Sequence, residues 1–252
     1  MWFGIITLFP EMFSALEYGI TGRALKSKLI EINCWNPRDF TDNKYKKVDD
    51  RPYGGGPGMV MMAQPLQAAI TAAQKSAPQK PKVMYLSPQG KSFNQAAAND
   101  LLKQHSIILI AGRYEGTDER VLTLEVDEEW SLGDYILSGG ECAAITMIDV
   151  ITRLIPGALG HEDSATSDSF SSGLLEYPQY TRPEHYKGLE VPRILMSGNH
   201  QTIERWRLQQ SLGRTWLKRP DLMAKKPLTD LEQELLTEFI EEYKHEQHHS
   251  NT

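Results

Sequence analysis

At 252 residues the chain has room for one large domain, or for a core domain with a small appendage, and its composition, 40% hydrophobic and 24% charged, is that of an ordinary soluble globular protein. No apolar run approaches the roughly 18 residues that a membrane span requires, and the opening MWFGIITLFPEMF lacks the basic start of a signal peptide, so a cytoplasmic location with no membrane partner is expected. The net charge of −6 argues against a nucleic-acid partner only as an average: residues 182–226 carry ten Lys or Arg against four Asp or Glu, and residues 227–252 carry one against seven.

Trp2 to Phe9 is a continuous apolar run closed by Pro10 and reads as a strand buried on both faces. Met12 to Leu29 reads as a helix and Ile30 to Trp35 as the next strand, which together suggest a parallel sheet. Asn36 to Gly58, NPRDFTDNKYKKVDDRPYGGGPG, shows no periodicity. A loop of this length in a compact domain is usually functional, and its Tyr45, Lys46, Lys47, Arg51 and Tyr53 suit phosphates and splayed bases. Its aspartates nearly neutralise it, so a plain charged surface loop fits the same residues.

Met59 to Ser76 reads as a helix, Lys82 to Leu86 as a strand followed by the loop SPQGK, and Phe93 to Gln104 as a helix. The strand Ile107 to Ala111 precedes the loop GRYEG, a short helix at Asp118 to Leu122, and a strand at Glu125 to Leu132. Each loop then follows the carboxyl end of a strand, where open parallel sheets bind ligands. Ser131 to Glu141, SLGDYILSGGE, places glycine turns at Gly133 and Gly139-Gly140 before the apolar helix CAAITMIDVITRLIP. Backbone without side chains can approach a flat ligand closely, and with Asp134 and Glu141 as the local charges that ligand should be uncharged or cationic. Two ordinary tight turns would also produce this pattern. After Pro156-Gly157 comes the polar ALGHEDSATSDSFSSG, read as a hinge or linker, and then helices at His200 to Lys218 and Thr229 to His245.

Several familiar sites are excluded. Gly90-Lys91-Ser92 ends like a phosphate loop, but Tyr85 stands where that motif needs glycine. The first strand ends in Phe9-Pro10-Glu11 rather than in a dinucleotide-binding glycine motif. Cys34 and Cys142 form no CxxC, and the histidines near the carboxyl end lie in an acidic tail, so no metal ligands can be named.

The motifs DDRPYGGGPGM, LSPQG, GRYEG, GDYILSGGE, the DSF of Asp168 to Phe170 and SGNHQTIERWRLQQSLGRTW, in this order between Phe3 and Leu217, resemble the bacterial tRNA (guanine-N1-)-methyltransferase family of the SPOUT superfamily. The resemblance implies an α/β fold with an open parallel sheet, a deep trefoil knot and a small helical C-terminal domain, assembled as a homodimer. It divides the chain into a knotted catalytic domain at 1–159, a flexible interdomain linker at 160–172 and a tRNA-binding domain at 173–252. It implies S-adenosylmethionine as methyl donor, held by Tyr85, Leu86, Ser87, Pro88, Gln89 and Gly90, by Gly112, Tyr114, Glu115 and Gly116, and by Ser131, Leu132, Gly133, Tyr135, Ile136, Leu137, Gly139 and Gly140. Asp50, Arg51, Gly54, Gly55 and Ser164 are implied as tRNA contacts, and Mg²⁺ as an accompanying ion. Ala143 departs from the family, whose members commonly carry proline there.

The implied reaction methylates N1 of the guanosine at position 37 of tRNA, on the 3′ side of the anticodon. N1 bears a proton in the neutral base, so a general base is needed, and the resemblance assigns that role to Asp168. A carboxylate with a pKa of about 3.9 is a weak base for a guanine imide. The charge that develops on O6 therefore needs a partner, for which Arg153 is the matching residue. The rival readings are another SPOUT RNA methyltransferase, acting on ribose 2′-OH or another base, and a non-catalytic tRNA-binding protein.

Overall fold

A computed structural model describes residues 1–160, 169–170 and 172–250. The chain divides into two compact units, residues 1–162 and 163–252.

The first unit is built on five strands, β1 (Trp2–Ile6), β2 (Glu31–Trp35), β5 (Lys82–Ser92), β6 (Ser106–Ile110) and β7 (Glu128–Ser131), in the order β2-β1-β6-β5-β7. Every pairing is parallel. Parallel strands are joined by crossovers that cover both faces, and β1 and β6 are accordingly buried at every residue. Side chains alternate between the faces. Phe3, Ile5, Ile107 and Leu109 point to one side with α1 (Gly19–Lys26), α3 (Gln95–Leu101) and α5 (Glu141–Arg153), while Trp2, Ile6, Ile108 and Ile110 point to the other with α2 (Ala63–Ser76) and α4 (Glu119–Glu125). Cys34 lies on β2, where burial pushes its thiol up to about 11, and Cys142 lies exposed on α5.

Some elements differ from the sequence reading. The expected helix over Met12 to Leu29 is split into a 3₁₀ helix, Pro10–Glu17, and α1, because Tyr18 is extended and Gly19 takes a left-handed φ of 62°. The expected helix from Met59 begins only at Ala63. The preceding Val60–Met61 (β4) pairs antiparallel with Asp49–Asp50 (β3), so the loop read as aperiodic is anchored at its end. SPQGK does not end its strand. Leu86 and Lys91 both lie opposite Trp130, so Ser87 to Gly90 form a four-residue excursion from β5, which then resumes. The strand expected from Glu125 starts at Glu128, since the preceding helix continues through Glu125.

In the second unit α6 (His200–Lys218) runs between the bounds expected from sequence, and its Asn199 cap accepts from the amides of Gln201 and Thr202. A short helix α7 (Pro220–Met223) follows, and then α8 (Asp230–Ser250). Thr229 and Glu232 bond each other's backbone amides in a reciprocal box at the start of α8. Leu212, Leu235 and Leu236 form a small core with Leu174, and a side chain at Gly213 would strike the Phe239 ring. Arg205 pairs with Glu234 and Glu238, and Lys226 with Glu232. The basic stretch and the acidic tail thus partly cancel within this unit, a pairing that segment counts cannot reveal. No helix among the described residues is long and apolar enough to cross a membrane.

Candidate functional site

The carboxyl ends of β5, β6 and β7 open onto a cleft of about 340 Å³. Three segments line it: Tyr85 to Pro88, where β5 passes into its excursion, Gly112 to Gly116 after β6, and Trp130 to Gly140 from the end of β7 onward, excepting Asp134. They are stitched to one another by backbone. The Gly140 amide donates to Gly112 O at 2.9 Å, and a Cβ on Gly140 would stand 2.7 Å from Ala111 Cα. A Cβ on Gly112 would stand 2.6 Å from the Tyr85 hydroxyl, and one on Gly139 would overlap the Arg113 side chain. These glycines are small because another segment of the same chain occupies the space. Tyr85 is 8% exposed; burial pushes its phenol up, against a hydrogen bond to Thr117.

The electrostatics correct the charge argument made from sequence. Glu141 is fully buried and does not line the cleft, accepting from Arg113 Nε at 2.9 Å and Thr7 Oγ1 at 3.0 Å. Arg113 also donates to Ser138 O at 3.1 Å and covers the Phe9 ring at 4.6 Å. The guanidinium on the cleft wall is therefore matched by a buried carboxylate, and Glu115 carries the other lining charge. An uncharged or cationic ligand still suits the cleft, for a reason that lies in Arg113 and Glu115 rather than in Glu141.

Sixteen of the eighteen residues named as cofactor contacts line this cleft; Gln89 and Gly90 do not. Gly90 backs onto the main chain of Glu129 and Trp130, where a Cβ would clash, so its smallness closes the excursion. Arg113, Trp130, Ser138 and Ala143 line the cleft without having been named as contacts. Arg113 and Ser138 lay inside motifs already singled out, and only register places Trp130 there. The match of the family model for tRNA (Guanine-1)-methyltransferase TrmD runs over residues 1–225. The chain belongs to this family. Among curated relatives, each named tRNA (guanine-N(1)-)-methyltransferase, it is 59% identical to that of Escherichia fergusonii over 98% of both chains. It is also 59% identical to that of Cronobacter sakazakii, over 98% of this chain and 97% of that one. With the Photorhabdus laumondii protein the identity is 60%, over 96% of this chain and 98% of the relative.

Within this TrmD-family chain the remaining named residues fall elsewhere. Arg153 ends α5, whose first turn touches the cleft through Ala143. Ten residues of helix put it about 15 Å further along the axis than Ala143, and Arg153 is not among the residues that line the cleft. Asp50, Arg51, Gly54 and Gly55 lie on the long loop outside the cleft lining. Asp50 is exposed, and the neighbouring Lys47 ammonium, at 3.0 Å, holds its carboxyl below the usual range. Ser164 and Asp168 lie outside the described residues. No cluster of three or more metal-ligating side chains occurs among the described residues, and they name no ligand set for the implied Mg²⁺.

Proposed function

We propose that this chain transfers a methyl group from S-adenosylmethionine to N1 of guanosine 37 of tRNA, and that it does so as a cytoplasmic homodimer with a SPOUT-type knot. The observation that carries the reading is the cleft, in which three backbone-rich loops meet at the carboxyl edge of a parallel sheet, inside a chain of the tRNA (Guanine-1)-methyltransferase family. The wall fits the donor: Leu86, Ile136 and Leu137 suit its flat base, Glu115 suits its positive groups, and Arg113 is already neutralised. When bound, the donor supplies an electrophilic methyl on a sulfonium. The protein's part is to present the guanine in line, to take the N1 proton and to hold the charge on O6.

Asp168 is proposed as the base and Arg153 as the O6 partner. Arg153 closes α5, ten residues along the helix from Ala143 on the cleft wall, a position that suits a site shared between subunits related by two-fold symmetry. Asp50, Arg51, Gly54, Gly55 and Ser164 are proposed to contact the anticodon stem-loop, as is the helical unit from residue 173 through cations outside its internal ion pairs, such as Arg193, Arg214 and Lys218. Domain limits of 1–159, 160–172 and 173–252 follow from the same reading.

The direct test is methylation of a tRNA transcript followed by nucleoside digestion: 1-methylguanosine from the wild-type transcript and none when guanosine 37 is replaced. A 2′-O-methyl product, or none, would reject the reading. Mixing Asp168→Ala subunits with Gly140→Trp subunits, each inactive alone, should restore about a quarter of wild-type activity after random exchange if the base serves the partner's cleft. No recovery, with exchange confirmed by differently tagged subunits, would place Asp168 in its own subunit's site.

A further inference from the structure

The sheet has a second hollow at its other end. It is a cavity of about 600 Å³ beside the amino ends of β1 and β2 and the residue that enters β6, whereas the cleft lies at the carboxyl ends of β5, β6 and β7. Because the strands are parallel, the two openings sit on opposite edges of the sheet. The volume is in the range of small-molecule sites. Its apolar lining includes Trp2, Ile30 and Ile32, and Lys28, Glu31 and His105 bring polar side chains to it. Main-chain bonds fix this rim without a ligand: the Trp2 amide donates to His105 O at 2.9 Å, the Glu31 amide to Met1 O at 3.0 Å, and the Met1 nitrogen to Leu29 O at 2.7 Å.

The polar groups of this cavity are unevenly engaged. Glu31, the one carboxylate in the lining, accepts from the Asn33 side-chain amide at 2.8 Å. The Lys28 ammonium and the His105 imidazole have no hydrogen-bond or ion-pair partner among the described residues. Two departures from ideal local structure meet at the same rim. The Leu29 amide donates to Ala24 O at 2.9 Å and the Lys28 amide to Leu25 O at 3.0 Å, the bonds of a helix end that usually places glycine where Lys28 stands. Lys28 holds a left-handed φ of 58° there, so its side chain, not its backbone, accounts for the residue. Ser106, next to His105 and opposite Trp2 in register, has a buried hydroxyl with no partner among the described residues. Natural chains depart from local rules mostly where a site requires it.

We propose that this cavity is a second ligand site, for an organic anion with an apolar body. The body packs on Trp2, Ile30 and Ile32, and Lys28 and His105 take the acid group, since their donors are free while the carboxylate of Glu31 is occupied. A carboxylate on an aromatic body and the phosphate of a nucleoside monophosphate share this chemistry. The site needs neither the methyl donor nor tRNA, so it does not depend on the functional reading above.

The test is calorimetry on the full-length protein with 2-naphthoate and with adenosine monophosphate, each in excess S-adenosylhomocysteine, a non-reacting ligand for the cleft. At least one anion should bind with a dissociation constant of about 1 mM or below, and about tenfold more tightly than its uncharged counterpart, 2-naphthylmethanol or adenosine. The tighter of the two names the source of the acid group. Lys28→Gly and His105→Ala should each weaken that anion about tenfold while S-adenosylhomocysteine binding stays within about twofold. Lys28→Gly should also unfold at the same or a higher urea concentration, because glycine suits the left-handed φ. A cation at a helix end can serve the helix alone: lower stability in Lys28→Gly with unchanged anion binding would assign Lys28 that role and overturn the site. Binding of neither anion, equal binding of the uncharged counterparts, or wild-type affinity in either variant would overturn it too. Failure to bind S-adenosylhomocysteine would count against the reading of the cleft alone, since neither substituted residue lines it.

Discussion

Two sets of glycines look alike in the sequence and are glycine for opposite reasons. Gly54, Gly55 and Gly56 in the long loop have φ of 84°, 78° and 119°, with open space where a Cβ would point. Gly90, Gly112, Gly139 and Gly140 around the cleft have ordinary φ, and the space for a Cβ is already filled by Trp130, Tyr85, Arg113 or Ala111. The first set satisfies a backbone conformation; the second lets chain segments cross at contact distance. A glycine pair beside a ligand site is thus no sign that the ligand itself touches it. At this cleft Gly112, Gly139 and Gly140 line the wall while the space their Cβ atoms would need is taken by the protein itself, and substitutions should separate the two sets.

The largest effect is expected at Glu141, where the crowded side is locked. It is fully buried and joins Arg113, on the β6 loop, to Thr7, just after β1, at the first residue of α5. Glu141→Ala leaves the Arg113 guanidinium without its carboxylate. Breaking a buried ion pair costs about 3–5 kcal/mol, and the partial exposure of Arg113 points to about 3 kcal/mol. Urea unfolding should show that loss, together with weak S-adenosylhomocysteine binding, because Arg113 would release Ser138 and the loop that carries it. A loss below about 1 kcal/mol would mean that packing alone holds the crossing.

Gly140→Ala should come next. Its Cβ meets Ala111 Cα at 2.7 Å and Gly112 N at 3.0 Å, both main-chain atoms that cannot rotate aside. Overpacking of this kind costs about 1–3 kcal/mol. It also pushes apart the two loops joined by the bond from the Gly140 amide to Gly112 O. Affinity for S-adenosylhomocysteine should therefore fall along with stability. A variant that loses affinity at unchanged stability would instead indicate that the ligand itself lies against Gly140, and the comparison between the two sets would fail at this position.

Much of the framework was legible in the sequence because it rests on local pattern. The apolar runs of β1 and β6 suit strands buried on both faces, and α6 has its cap, Asn199, in the residue just before it. The three cleft loops could be named because each sits between a strand and a turn signal. What escaped was set by register and by pairing at long range. Nothing local shows that Leu86 and Lys91 share Trp130 as a partner, so the excursion read as the end of a strand. Glu141 looked like a ligand-facing charge because its partners, Arg113 and Thr7, are 28 and 134 residues away. Arg153 could be assigned a role by resemblance, but its place at the far end of the helix whose first turn touches the cleft follows only from the structure.

The smallest effect on the fold is expected at Gly55. Nothing lies within 4 Å of the place its Cβ would occupy, so Gly55→Ala introduces no clash. The cost is conformational: a φ of 78° is left-handed, and an L-residue pays about 1 kcal/mol to remain there. Because Gly55 lies in the exposed stretch Arg51 to Gly58, which contributes no side chain to either core of the first unit, that stretch can relax locally, and global stability should fall by less than that figure. Binding of S-adenosylhomocysteine should stay within about twofold, since the backbone bonds that sew the loop to the cleft begin only at Met59. The tRNA affinity should fall by up to about fivefold, because about 1 kcal/mol of bias against the bound conformation is close to that factor. Measured beside Gly140→Ala, the pattern inverts: one variant loses the cleft and its stability, and the other loses RNA while keeping both. If Gly55→Ala weakened S-adenosylhomocysteine as strongly as Gly140→Ala does, the loop glycines would belong to the cleft after all.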